Sequence, residues 1–418
     1  MPSRNGIRNQ LARIVDRGLR EVYRVPLAVK YAGSTSTNGR SGYTQSVLII
    51  RGDGGIGDFV LFLPALKALR QHFAGSRMAL LVGSESEKIA SAFADVDEVI
   101  SFEVRRYRLN LAYRIRLIRQ LRSHGFDIAL NPIYSREPLT DELLYCSGAK
   151  QRIAFEGNLD NIDIRTKTAN NAYFTRVIDS QAGRVSEIER NRQFVERLTA
   201  ATISGEESLP RISLSDAQLD KARQLFRREG LDPETERLVV LFPGASHAIK
   251  QWPAERFAEL ANRIAKTYDT RILICGAPSD RETQELVTSK VSAPVVHLAG
   301  KTDLLQLAAV LKQSALYIGN DTGPLHLAAA VGTPTLCILG GGHFGRFYPY
   351  GDQRMHRAVF HELECFHCNW ACPYEVSYCI HEITVDEVWQ SVKRMFDEVL
   401  LAGRGYGTPT PQISGTSS

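Results

Sequence analysis

Twice along these 418 residues, short apolar runs alternate with longer stretches of helical periodicity, and this alternation limits the possible folds more than any other feature. In the first series, "SVLII", "RMALLVG", "ADVDEVISF", "FDIALNP" and "QRIAF" are predicted strands. Helices are predicted over "DFVLFLPALKALRQHF" and residues 107–124. A polar stretch around residues 201–215 interrupts the pattern, which then restarts. "RLVVLFPG", "RILICGAP", "VVHLAG", "ALYIGN" and "PTLCILG" are strands, separated by four helical segments. Apolar strands separated by helices specify parallel sheets covered on both faces. The expected fold class is α/β, two Rossmann-like doubly wound domains with a ligand cleft between them, at the C-terminal ends of the strands.

The expected divisions are a basic amphipathic extension and linker (1–45), a first domain (46–200) and a second domain (208–383). The second domain includes a Cys-rich loop at 365–379. A C-terminal helix follows at 384–403, with Thr384 as its N-cap, and then a tail (404–418) too poor in apolar residues to pack. Residues 1–30 carry seven Lys/Arg against two acidic residues, which accounts for the net charge of +5. Such a helix can pack on its own domain or lie on an anionic membrane. No apolar run approaches the ~20 residues of a membrane span, and no secretory leader is evident, so a cytoplasmic location is expected.

Gly52, Gly54 and Gly57 spell G-x-G-x-x-G between the first strand and first helix, a dinucleotide-binding pattern. Asp58 opposes that reading, because a carboxylate at the helix start repels a pyrophosphate. The turn is better suited to presenting Asp58 to the cleft as a general base. In the second half, "YIGNDTGPLHLAAAVG" ends a strand and opens a helix at Thr322 and Gly323, with Pro324 in its first turn. Free N–H groups there suit a phosphate, Asp321 flanks them, and His326 lies one turn in. Lys250, in the loop that follows Ser246, is placed to neutralise a diphosphate.

The segments "PGAS", "LAGKTDL" and "NDTGPLHLAAAVGTP", with the "GGIGDFVLFLPAL" turn, resemble the ADP-heptose:lipopolysaccharide heptosyltransferases, inverting glycosyltransferases of GT-B fold. The resemblance spans roughly residues 46–400. It implies a heptose or related sugar passed from an ADP-sugar donor to a lipopolysaccharide core or related surface glycan at the inner membrane surface. It also implies Asp58 as base, Lys250 and Thr322–Gly323 on the leaving diphosphate, and Asp321 on the donor sugar. His326 would contact sugar or phosphate, and Ser246 a phosphate oxygen. No Asp-x-Asp pair is placed for Mg²⁺, so no catalytic cofactor is expected.

Residues 105–122 hold seven arginines and no acid. Leu111, Ile115 and Ile118 are predicted to be buried, leaving the arginines outside. Arg105, Arg106 and Arg108 could bind anionic acceptor groups or a membrane surface, or form a solvated face. Nucleic acid is not expected, since no binding module accompanies the charge. Cys365, Cys368, Cys372 and Cys379 could hold structural Zn or Fe, or stay reduced thiols lining a loop. Autotransporter-modifying heptosyltransferases, a similar group, carry a four-cysteine iron site. Transfer to a protein hydroxyl therefore stays open, as do a non-catalytic nucleotide-sugar-binding protein and an NAD-dependent oxidoreductase.

Overall fold

The computed structural model describes residues 43–52, 55–181 and 183–401. The basic extension, all but its last residues, Asp53, Gly54 and the tail from residue 402 lie outside them.

Two six-stranded sheets form, each wholly parallel. The first contains β1 (Ser46–Arg51), β2 (Arg77–Gly83), β3 (Glu98–Phe102), β4 (Ile128–Asn131), β5 (Gln151–Phe155) and β6 (Arg176–Ile178), in the order β3-β2-β1-β4-β5-β6. The second contains β7 (Leu238–Phe242), β8 (Arg271–Ile274), β9 (Val295–His297), β10 (Leu316–Asn320), β11 (Thr335–Ile338) and β12 (His356–Val359). Its order is β12-β11-β10-β7-β8-β9. Both sheets follow one wiring rule. Each half reverses direction beside its own first strand, between β1 and β4 and between β7 and β10, where the crevice of a doubly wound sheet opens. Val47–Ile50 and Leu238–Leu241 are fully buried because helices cover both faces.

The helix Ile56–His72 follows β1 and runs through Pro64 without a break. The helix Glu187–Thr199 packs on it, with the Asn191 side-chain amide donating to the Leu61 carbonyl at 3.2 Å. Thr384 caps the helix Val385–Met395 reciprocally with Glu387, as expected.

The segment predicted as one helix over 107–124 is two, Val104–Leu109 and Leu111–Ser123. Asn110 separates them, its side-chain oxygen accepting from Tyr113 N–H at 2.9 Å. The second helix buries Leu117 and Leu121 instead of the predicted stripe; Leu111 is exposed, while Ile115 and Ile118 are half-buried. Arg114 is buried rather than outside, because Glu142 accepts from its Nε at 2.8 Å and Tyr107 donates to the same carboxylate at 2.9 Å.

One buried polar network fixes the loops at the C-terminal edge of the first sheet. Arg136 donates from Nε to Asp141 Oδ1 at 3.1 Å and from Nη2 to Oδ2 at 2.7 Å. Its Nη1 donates to the Glu156 carbonyl at 3.2 Å and to Asn171 at 2.8 Å. Asn131 and Asn170 donate to the remaining capacity of Asp141. Both side chains of the ion pair are 0% exposed. Gly157 takes φ +70° there, and a Cβ on it would lie 2.4 Å from the Tyr134 carbonyl oxygen.

Candidate active site

The glycine turn after β1 and the Asn-Asp-Thr-Gly turn after β10 meet between the lobes. The space for a side chain is missing at Gly57 and tight at Gly323. A Cβ at Gly57 would lie 2.6 Å from His326 Cδ2, and one at Gly323 would lie 3.0 Å from Ile56 Cβ. The first turn of the Ile56 helix thus touches the first turn of the helix Gly323–Ala330. Gly57→Val introduces a side chain only at this contact, so each lobe should still fold. We expect kcat to fall about 10²-fold, the scale of a ~1 Å misplacement of reacting groups. Unchanged turnover in a steady-state assay would show that the contact is not needed.

Asp58 lies in the first turn of the Ile56 helix, which begins two residues earlier than expected. It is half-buried at the surface. Its pKa is raised above the usual carboxylate range, chiefly by burial and then by the negative charge of Glu187. Arg51, Arg346 and the Gly55 N–H act in the opposite direction.

Three of these groups were not singled out from the sequence. Arg51, which ends β1, is 3% exposed and donates to the Asp58 carbonyl at 3.2 Å. Its Nε and Nη1 have no hydrogen-bond partner among the described residues. A charged residue closing an apolar strand was the available signal. Arg346 comes from the second lobe and reaches the first, donating to Ser135 Oγ at 2.7 Å, Asp160 at 3.2 Å and Glu187 at 3.4 Å. Glu187 N–H returns a bond to the Arg346 carbonyl at 2.7 Å. No local pattern marks either partner.

Across the contact, Asn320 knits three segments. It donates to the Pro243 carbonyl at 2.8 Å and accepts from Trp252 N–H at 3.1 Å. That fixes the loop carrying Lys250, a short 3₁₀ turn over Ala248–Lys250. Lys250 Nζ lies 3.5 Å from Asp321 Oδ2, both side chains largely buried. Thr322 occupies the N-cap position of the Gly323 helix in extended conformation, and its side chain does not cap the helix. Ser246 is exposed, four residues beyond the end of β7.

His326 is buried, and its pKa is lowered to about 4, mainly by that burial; Lys250 adds to the effect and Asp321 opposes it. The imidazole is neutral at pH 7. Tyr350 keeps its proton, since burial raises its pKa, and its hydroxyl shares a hydrogen bond of 3.2 Å with His326 Nδ1. The other ring nitrogen, Nε2, lies 3.8 Å from Asp321 Oδ1.

The structure therefore brings Lys250, Asp321, Thr322, Gly323 and His326 together, with Ile56 and Gly57, the residues just before Asp58, against Gly323 and His326. Arg105, Arg106 and Arg108 lie on the helix after β3. Arg106 pairs with Glu103 and Arg108 with Glu137, both at 3.3 Å, while Arg105 is exposed.

Cys365, Cys368, Cys372 and Cys379 line a common small cavity with Trp370 and Phe366. Among the described residues no three His, Cys, Asp or Glu side chains gather to hold a metal ion. Two of the thiols meet the backbone. Cys379 Sγ accepts from Gly341 N–H at 3.4 Å, and Cys372 Sγ donates to the Val376 carbonyl at 3.9 Å. Burial and the neighbouring cysteines raise the pKa of Cys368 and Cys379.

A family model described as glycosyltransferase family 9 (heptosyltransferase) matches residues 114–373. Lipopolysaccharide heptosyltransferase 3 of Escherichia coli K12 is 23% identical over 293 residues, covering 68% of this chain and 79% of that protein. The family 9 glycosyl transferase of Veillonella parvula DSM 2008 superposes with a TM-score of 0.69 at 18% identity, over 85% of this chain and 98% of its own. ADP-heptose lps heptosyltransferase II of E. coli gives 0.63 at 16% identity, over 84% and 99%. The shared fold is GT-B. Among the described residues no helix is long and apolar enough to cross a membrane.

Proposed function

The chain belongs to glycosyltransferase family 9, and from that premise we propose that it transfers a heptose, with inversion, from ADP-heptose to a hydroxyl of a lipopolysaccharide core. The observation that carries this reading is the contact of Ile56 and Gly57, the two residues before Asp58, with Gly323 and His326 of the Lys250–Asp321 cluster across the lobes. The lobe of residues 46–200 receives the acceptor and that of 208–383 the nucleotide sugar.

Asp58 accepts the proton of the acceptor hydroxyl as its oxygen bonds to the anomeric carbon. The bond from that carbon to the diphosphate breaks, and its electron pair leaves on the diphosphate. Lys250 and the free N–H groups of the Gly323 helix stabilise this charge. Asp321 accepts from hydroxyls of the donor sugar. Neutral His326 contacts sugar or phosphate, and Ser246 donates to a phosphate oxygen. Arg105, Arg106 and Arg108 hold anionic groups of the acceptor, which lies at the inner membrane surface. The relative named above as an ADP-heptose lps heptosyltransferase supports donor and acceptor class.

Two assays test this reading. Incubation with ADP-heptose and a heptose-deficient core should yield a product heavier by one heptose. A thermal-shift panel should show stabilisation by ADP and ADP-sugars; a response only to NAD(H) would overturn the proposal.

The raised pKa of Asp58 predicts a pH profile. The base works ionised, so activity falls as pH drops through a value above the ordinary carboxylate range. Glu187→Gln removes a nearby negative charge and makes the carboxylate easier to ionise. The acid limb of kcat/KM should then move to lower pH, and an unmoved limb would show that Glu187 does not act on the base.

A further inference from the structure

The Cys-rich segment has no part in the mechanism above, yet its central residue touches the donor cluster. The indole of Trp370 lies with its ring centroid 4.9 Å from Lys250 Nζ. Asp321 holds the same ammonium at 3.5 Å. Carboxylate and aromatic face together restrict a side chain that otherwise has four flexible carbons.

The segment is shaped to put the ring there. His367, Asn369 and Trp370 take φ of 66°, 50° and 58°, a left-handed conformation that non-glycine residues adopt only where the surroundings impose it. His367 N–H donates to the Gly341 carbonyl at 2.7 Å and Asn369 N–H to that of Gly342 at 3.1 Å. The Asn369 side chain pairs with His343 Nε2 at 2.5 Å. The Gly340–Gly342 run after β11 is bare because the loop lies on it. A Cβ would meet the Trp370 ring at 2.7 Å from Gly340 and 2.4 Å from Gly342, and Phe366 at 2.2 Å from Gly341. Trp370 Nε1–H is enclosed without a hydrogen-bond partner among the described residues. Packing alone would favour a side chain without that polar group.

We infer that this segment is a wall of the donor site and that Trp370 is a positioning residue, holding the Lys250 ammonium where the diphosphate binds. The inference rests on Lys250 being the diphosphate ligand.

The test is a double-mutant cycle with ADP as the probe, affinities measured by isothermal titration calorimetry. Trp370→Leu should weaken ADP about threefold to tenfold, and Trp370→Tyr should restore most of it, as a retained ring face would. In a Lys250→Met background, Trp370→Leu should cost almost nothing further, because its effect passes through the missing ammonium. An equal penalty in both backgrounds, or leucine and tyrosine performing alike, would overturn the inference while leaving the donor site in place. Lys250→Met binding ADP as tightly as the parent would withdraw the donor-site reading, and this inference with it. Should Trp370→Leu fail to fold, Trp370→Phe carries the test. With the melting temperature preserved, ADP should bind about twofold to threefold more weakly, a loss that vanishes in the Lys250→Met background. Unchanged affinity would overturn the proposal.

Discussion

Asp58→Asn is expected to lower kcat by about 10²- to 10⁴-fold, the range for removing a general base, while ADP binding stays at the parent value. The replacement keeps the shape of the side chain and removes only its ability to take a proton. Arg51 donates to the backbone carbonyl of residue 58, not to its carboxylate, so that bond survives. Stability should not suffer, because a half-buried charge beside Glu187 is exchanged for a neutral amide. Single-turnover kinetics with ADP titration separates chemistry from binding. A variant that turns over at the parent rate would assign the proton to another group and end the proposed role of Asp58. A variant that loses ADP affinity as well would show that the residue supports the site's shape.

The second large effect concerns stability. Arg136→Met should destabilise the first lobe by about 3–5 kcal/mol, because it leaves the Asp141 carboxylate buried without its cation. Both of Asp141's oxygens face Arg136, and neither side chain is exposed to water, so solvent cannot take over. Asn131 and Asn170 supply neutral donors and recover part of the loss. Denaturant unfolding gives the number. Arg136→Met combined with Asp141→Leu should be milder than the single change, since no uncompensated charge remains. A loss below about 1 kcal/mol for the single variant would place the pair among exposed ion pairs instead.

The central strands were legible because parallel strands buried on both faces are uninterrupted apolar runs, as in Val47–Ile50 and Leu238–Leu241. The edge strands Arg176–Ile178 and His356–Val359 were not, since they are short, partly exposed and polar enough to pass for loop. Asn110 broke a helix that arginine-rich periodicity suggested was continuous, because a local cap outweighed the pattern. In the site, Asp58, Lys250 and Asp321 were visible because each sits within a few residues of a strand end and a glycine turn. Arg346 and Glu187 were not, because they are 159 residues apart and neither lies in a motif. Trp370 was hidden behind its neighbouring cysteines, which drew attention to metal chemistry while the indole pointed to Lys250.

Two helices begin nose to nose where the lobes touch, each presenting the electropositive tip of its peptide array to the other. The Asp58 carboxylate in one first turn and that of Asp321 beside the other offset this confrontation, so the seam itself couples the lobe that carries one to the lobe that carries the other.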